Sequence, residues 1–132
     1  MNFSAKTMAG NEFGGHLNEV REQVDLRVLN LDHLAQYTAN DAGLESELLG
    51  LFKDQAVLQF ENIQSADCKD DWEMAVHTLK GSARGIGAGQ VAALSVDLET
   101  VGFAGTATEK QAVTNKLKQA VAVCVAAIET LI

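Results

Sequence analysis

The chain lacks proline altogether and has one tryptophan and one tyrosine among its 132 residues. Proline ends or kinks helices because it has no N–H to donate and its ring clashes with the preceding turn. Hydrophobic residues make up 47% of the chain, and alanine, leucine and valine are abundant among them. Helices can therefore run long here, and we expect an all-α fold.

Positive charge and cysteine are also scarce. Ten basic residues stand against eighteen acidic ones, giving a net charge of −8, which disfavours nucleic acid as a partner. The two cysteines, Cys68 and Cys124, have no metal-ligand spacing, and we expect free thiols. No apolar run is long enough to span a membrane and no signal-peptide pattern opens the chain, so we expect a cytoplasmic protein without membrane contact.

The length fits one domain with a single core. The first fifteen residues show no sustained period, residues 16–23 permit a short helical turn or two, and residues 24–28 alternate like an extended connector. We therefore expect an N-terminal arm at 1–29 that is partly helical or flexible, followed by the domain at 30–132. Apolar periodicity predicts a short helix at 31–39 and four longer ones at 44–65, 70–86, 91 to 102 or 105, and 106–131. Long amphipathic helices joined by short loops predict an up-down antiparallel four-helix bundle with one or two shorter N-terminal helices.

Two further details of these helices can be tested. Asp70 with Glu73 and Thr106 with Glu109 have the spacing of capping boxes, which start helices. The helix at 44–65 has two apolar stripes side by side, which predict contacts with neighbours on two sides. The stripes are Leu44, Leu48, Leu51 and Leu58, and Leu49, Phe52, Ala56, Phe60 and Ile63.

The helix predicted at 70–86 separates a buried face from an exposed face. At about 100° per residue, one side carries Trp72, Val76, Leu79, Ala83 and Ile86. The other side carries His77, Lys80, Gly81, Arg84 and Ala88. The register that buries Val76 and Leu79 therefore directs the imidazole of His77 towards solvent.

An exposed histidine beside cations is suited to carrying an anion. A neutral imidazole is a nucleophile, and a phosphoryl group placed on it adds about two negative charges. Lys80 lies on the adjoining helical surface, and Arg84 extends the positive patch at two turns from His77. Glycine in mid-helix costs on the order of 1 kcal/mol relative to alanine, and at position 81 it leaves the space beside the imidazole open for an incoming domain.

The segment His77-Thr78-Leu79-Lys80-Gly81-Ser82-Ala83, with Ile86-Gly87-Ala88 after it, resembles the signature of histidine-containing phosphotransfer domains. The likeness extends loosely over residues 30–131 and includes the Asp-Trp-Glu entry and the run from Leu94 to Glu99. The resemblance implies that His77 accepts a phosphoryl group from a receiver-domain aspartate and passes it to another. It also implies that Lys80 stabilises the phosphoryl oxygens and Gly81 gives clearance for docking.

The implied partners are response-regulator receiver domains, a hybrid histidine kinase, or both, and we expect a monomer. The resemblance further implies a phosphoryl carrier rather than an enzyme, with no cofactor or metal of its own. Magnesium is expected on the partner receiver, since no carboxylates around His77 are predicted to form a site for it. Arg84 departs from the family pattern, which often has a small residue there.

Other interpretations stay open at this stage. One alternative is the phosphate-accepting domain of a chemotaxis-type histidine kinase, and a weaker one is a non-catalytic helical adaptor. The glycines at 81, 85 and 87 resemble a dehydrogenase phosphate loop, but that loop needs a strand before it and a doubly wound sheet around it. His16 and His33 have no histidine at i+4, so zinc is unsupported and we expect surface roles for both.

Overall fold

The structure, a computed structural model, describes residues 21–132. Five helices cover most of this range: α1 Leu31–Thr38, α2 Ala42–Ser65, α3 Lys69–Ile86, α4 Gly89–Val101 and α5 Ala107–Leu131. No strand occurs in the described range. The prediction of an all-α fold is confirmed. Most of the arm predicted at 1–29, including His16, lies outside the described residues.

The four long helices form the predicted bundle. Helix α3 packs between α2 and α4, and α5 closes the ring by packing against both α4 and α2. The connections between consecutive helices are short, which makes sequential neighbours antiparallel. Helix α1 is the shorter N-terminal helix and lies against α2 and α3.

The chain just before α1 is attached to this bundle. Leu29 is buried, the carbonyl of Arg27 accepts a hydrogen bond of 2.7 Å from the Gln90 N–H, and the Asn30 N–H donates to Gly87 at 2.9 Å. These bonds connect the entry of α1 to the junction of α3 and α4. The boundary predicted between residues 29 and 30 stays a prediction.

Only one of the two apolar stripes of α2 is buried. Its members Leu49, Phe52, Ala56, Phe60 and Ile63 all lie in the core. In the other stripe Leu44, Leu51 and Leu58 are exposed and Leu48 is half-buried. Helix α2 does contact two bundle neighbours, α3 and α5, as expected.

The predicted helix starts all lie within two residues of the observed ones, and α2 and α4 each begin two residues earlier than predicted. The two predicted capping boxes have different outcomes. Thr106 caps α5 by accepting a hydrogen bond of 3.1 Å from the Glu109 N–H. Helix α3 instead starts at Lys69, directly after Cys68, without a side-chain cap. The predicted Asp70–Glu73 capping box is therefore wrong. Asp70 lies within the first helical turn, where a carboxylate is favoured by the helix dipole but cannot be the N-cap.

Helix α3 ends where glycine was expected to end it. Gly87 has φ +89°, and its N–H bonds the carbonyl of Ala83. A Cβ there would also lie 2.9 Å from the carbonyl oxygen of Asn30, so glycine is required. Ala88 is buried, contrary to the prediction that it shares the face of His77, because the helical register ends at Gly87.

Candidate functional site

His77 projects from the middle of α3. Its side chain is 70% exposed, whereas Val76 and Leu79 beside it are completely buried. The predicted register of α3 is confirmed at these three positions. The packing of Val76 and Leu79 holds the helix in an orientation that presents the imidazole to solvent.

Lys80 does not point freely into solvent as expected. Its Nζ lies 2.9 Å from Oε1 of Glu99, and its side chain is only 17% exposed. Glu99 is on α4, which packs along the Lys80 side of α3. The stem of Lys80 is therefore covered by the neighbouring helix, and its ammonium is already paired.

The same carboxylate also faces His77. Oε2 of Glu99 lies 3.9 Å from Nδ1 of the imidazole, beyond hydrogen-bond length but close enough for charge to matter. A negative charge on this side of the ring favours a proton on Nδ1 over a lone pair there, which leaves the lone pair on Nε2. Glu99 thus connects the two residues that the sequence singled out.

Glu99 is the site residue that sequence reasoning missed. It lies nineteen positions after Lys80, and no helical period relates residues on separate helices. The available signal was the run from Leu94 to Glu99, which entered only as part of the family resemblance. The resemblance implied no role for Glu99 itself.

The charge around His77 is less positive than predicted. Arg84 is exposed, and within residues 21–132 it makes no side-chain hydrogen bond or ion pair. On the other hand, a hollow beside His77 is lined by the carboxylates of Asp70, Glu73 and Glu99, together with Trp72 and Met74. With Lys80 neutralised by Glu99, the expected patch of two free cations is reduced to Arg84.

These three carboxylates do not form a group that could share a metal ion. Within residues 21–132, the one set of three candidate ligands with atoms inside 4.8 Å is Asp67, Cys68 and Asp71, which is exposed. None of these three lines the hollow at His77. That this chain holds no metal at His77 stays a prediction.

Open space surrounds Gly81. A Cβ built on Gly81 would have no atom within 4 Å outside its own helix backbone, and the same is true of Gly85. No packing contact in the described structure therefore requires glycine at either position. The space beside His77 is open, which is the geometry that the clearance role of Gly81 needs.

An apolar surface lies on the side of α3 opposite Glu99. Its most exposed members are Tyr37 of α1 and Leu51 of α2, which are 68% and 60% exposed. Leu48, Ser82 and Gly85 line the same shallow groove. Part of the α2 stripe that was predicted to be buried thus forms a surface next to the histidine helix.

The dehydrogenase interpretation does not fit this geometry. Gly81 and Gly85 lie inside α3 and Gly87 is its C-cap, so no strand leads into these glycines. The described residues also contain no sheet against which a dinucleotide could bind.

The family model of the Hpt domain matches residues 47–131. The chain belongs to the Hpt domain family. The matched span runs from the first turns of α2 to the end of α5, so it comprises the four-helix bundle with His77, Lys80, Gly81 and Glu99. No curated protein and no solved structure gives a significant match to this Hpt domain.

Membership of the Hpt family supports a phosphotransfer-type role in signalling, as a carrier module. Among the helices of residues 21–132, none has the length and apolar character to cross a membrane. Both cysteines of this Hpt domain are free thiols, as predicted, with Cys68 exposed and Cys124 buried.

Proposed function

We propose that this Hpt domain is a phosphorelay intermediate in which His77 accepts a phosphoryl group from the aspartate of one receiver domain and passes it to another receiver. The observation that carries the proposal is the 70% exposed imidazole at the centre of a well-packed helix. Family membership supplies the class of chemistry, and the exposed position of His77 meets its first requirement, which is access for a second protein.

The proposed step is an in-line displacement at phosphorus. Nε2 of His77 attacks the phosphorus of the aspartyl phosphate and forms an N–P bond. The O–P bond breaks, and the aspartate carboxylate leaves with the electron pair. Transfer to the next receiver is the reverse, in which the N–P bond breaks and its electron pair returns to Nε2.

The residues around His77 contribute charge and position rather than acid–base catalysis. Lys80 can bind phosphoryl oxygens once its ammonium breaks its bond to Glu99, and Arg84 adds a second, exposed cation further along the same helix. Phosphoryl transfer needs a metal ion to neutralise the moving group, and the proposal assigns that magnesium to the receiver.

Two surface features favour a folded domain as the partner. The absence of a side chain at Gly81 lets another backbone approach the imidazole. The apolar groove between Tyr37 and Leu51 begins at Ser82, directly after Gly81, and continues to Gly85 about one turn further along α3. A receiver that covered both would exclude water from the reacting atoms while burying apolar surface.

The test is to incubate the protein with a panel of receiver domains phosphorylated by acetyl phosphate. We expect acid-labile, base-stable phosphate on the wild-type chain, with complete loss in His77→Gln because no other nucleophile occupies its place. His16→Gln, which keeps His77, is the matched control and should label normally. Circular dichroism verifies that the variants fold. Labelling of folded His77→Gln at the wild-type level would refute the assignment.

A further inference from the structure

One carboxylate connects the proposed phosphoacceptor and its proposed anion-binding partner. Glu99 bonds Lys80 through Oε1 at 2.9 Å and faces Nδ1 of His77 through Oε2 at 3.9 Å. The Lys80 side chain is 17% exposed and that of Glu99 is 34% exposed. The pair is thus shielded from water more than an ordinary surface ion pair, so its charges are less screened.

A phosphoryl group on His77 would disturb this arrangement. It brings about two negative charges to a ring that already lies beside the carboxylate of Glu99. In bulk water, two like unit charges at about 4 Å shift an equilibrium roughly fivefold. The phosphoryl group on Nε2 lies across the ring from Glu99, so it is farther away than this, but it carries about two charges and the carboxylate is partly shielded from water. Lys80 can relieve the repulsion, but only by giving up part of its bond to Glu99.

We propose that Glu99 determines how readily His77 releases its phosphoryl group, because it repels that group and competes with it for Lys80. This inference rests on the proposed function, since it concerns the same histidine. Before phosphorylation the Lys80–Glu99 pair is intact, and after phosphorylation one ammonium is shared between two anions. Glu99 therefore raises the free energy of the phosphorylated form and favours onward transfer.

The first test measures the equilibrium between phosphorylated His77 and one phosphorylated receiver. Glu99→Gln removes the charge with little change in shape, and we expect the equilibrium to shift towards phosphorylated His77 about three- to tenfold. Asp97→Asn is the matched control, because it makes the same charge change at an exposed position of the same helix. It should leave the equilibrium within about twofold of wild type, since Glu99 and not Asp97 pairs with Lys80 and an exposed charge is screened by salt.

A second measurement needs no receiver. Potassium phosphoramidate phosphorylates histidine directly: the P–N bond of the donor breaks, ammonia leaves, and a P–N bond forms at His77. In the hydrolysis that follows, water attacks phosphorus, the P–N bond at His77 breaks with its electron pair returning to nitrogen, and inorganic phosphate is released. The loss of the phosphohistidine signal is followed by ³¹P NMR. We expect Glu99→Gln to lose phosphate about three- to tenfold more slowly than wild type, and Glu99→Asp, which keeps the charge, to stay near wild type.

Lys80 distinguishes competition from simple repulsion. If Glu99 and the phosphoryl group compete for Lys80, the effect of Glu99→Gln should shrink at least twofold in a Lys80→Ala background. In wild-type protein, raising the salt concentration from about 0.1 to 1 M should slow phosphate loss, as Glu99→Gln does, because salt screens the repulsion between Glu99 and the phosphoryl group. This salt measurement does not depend on the folding of any variant.

The outcomes separate the two proposals. Equal phosphate loss in Glu99→Gln and Asp97→Asn, or faster loss in Glu99→Gln, would overturn the role of Glu99. If phosphoramidate-labelled His77 shows the Glu99 dependence but no receiver exchanges phosphate with it, the relay function fails and the role of Glu99 stands.

Discussion

At the scale of single residues, two glycines two helical turns apart on α3 illustrate different physical demands. Gly87 is required by the backbone, because φ is +89° and a Cβ would meet the carbonyl of Asn30. Gly81 has ordinary helical conformation and nothing within 4 Å of its missing Cβ. Its presence thus costs helix stability without any gain in packing, which is the pattern expected of a residue kept for a partner.

Gly81→Leu tests this distinction. The side chain would enter open space, and leucine is a better helix former than glycine by about 0.8 kcal/mol, so the variant should be as stable as wild type or more stable. Phosphotransfer from a receiver should slow at least tenfold, because the side chain would occupy the space beside His77. Urea denaturation and transfer kinetics measure the two effects.

Ala122→Leu on α5 is the control for Gly81→Leu, since it adds a leucine at another exposed helical position. It should leave the transfer rate unchanged. If Gly81→Leu transferred as fast as Ala122→Leu, the clearance role of Gly81 would be wrong.

At the scale of helices, the start of α3 differs from the start of α5 although both sequences offer a capping box. In α5 the hydroxyl of Thr106 accepts from the N–H of Glu109, and also contacts the Glu109 carboxylate at 3.0 Å. In α3 the helix begins at Lys69, two residues earlier than a box with Asp70 as N-cap requires. Spacing alone did not distinguish the two, because three consecutive polar residues, Lys69 to Asp71, allow more than one starting register.

Thr106→Ala and Asp70→Ala should therefore differ in their effect on stability. Loss of the Thr106 cap leaves the N–H of Glu109 without its partner and should lower the free energy of unfolding by about 1 kcal/mol. Asp70→Ala removes only a favourable charge from the first turn and should cost less than about half as much. Thermal or urea unfolding of both variants measures the difference. Equal losses would show that Asp70 does cap α3.

At the scale of the whole molecule, Cys124 connects the last helix with the chain that precedes the first. Its Sγ lies 3.7 Å from the carbonyl oxygen of Val28, to which the thiol donates, and the residue is 1% exposed. Burial raises the pKa of the Cys124 thiol to about 11. Cys124 lies in an apolar run at 120–127, which favours burial, but nothing in the sequence indicates the contact with Val28, ninety-six positions away.

This raised pKa predicts a loss of stability at high pH. In the unfolded chain the thiol loses its proton near pH 9, whereas in the folded chain it keeps the proton to about pH 11. Between these values only the unfolded state loses the proton, which lowers the free energy of the unfolded state relative to the folded one. The contribution of Cys124 to the free energy of unfolding therefore falls by about 1.4 kcal/mol per pH unit. The advantage of wild type over Cys124→Ala in unfolding free energy should therefore shrink as the pH rises from 9 to 11.

Cys68→Ser is the control for this pH dependence, because the thiol of Cys68 is exposed. Its unfolding free energy should follow that of wild type across the same range. Parallel pH profiles for wild type and Cys124→Ala would contradict the prediction.

The sequence by itself determined the helices, the exposure of His77 and the open position of Gly81. These are local properties, because the helical period of 3.6 residues relates each residue to its own helix face. The buried neighbours Val76 and Leu79 were sufficient to place the imidazole outside the core.

Only the tertiary structure decided which helix lies next to each face. Glu99 meets Lys80 and His77 because α4 packs on that side of α3. Most of one stripe of α2 stays exposed, because the described helices bury only the other stripe. Such contacts depend on the packing of separate helices, which no spacing along the chain specifies. The exposed histidine was thus predictable from the sequence, but the carboxylate that pairs with Lys80 was not.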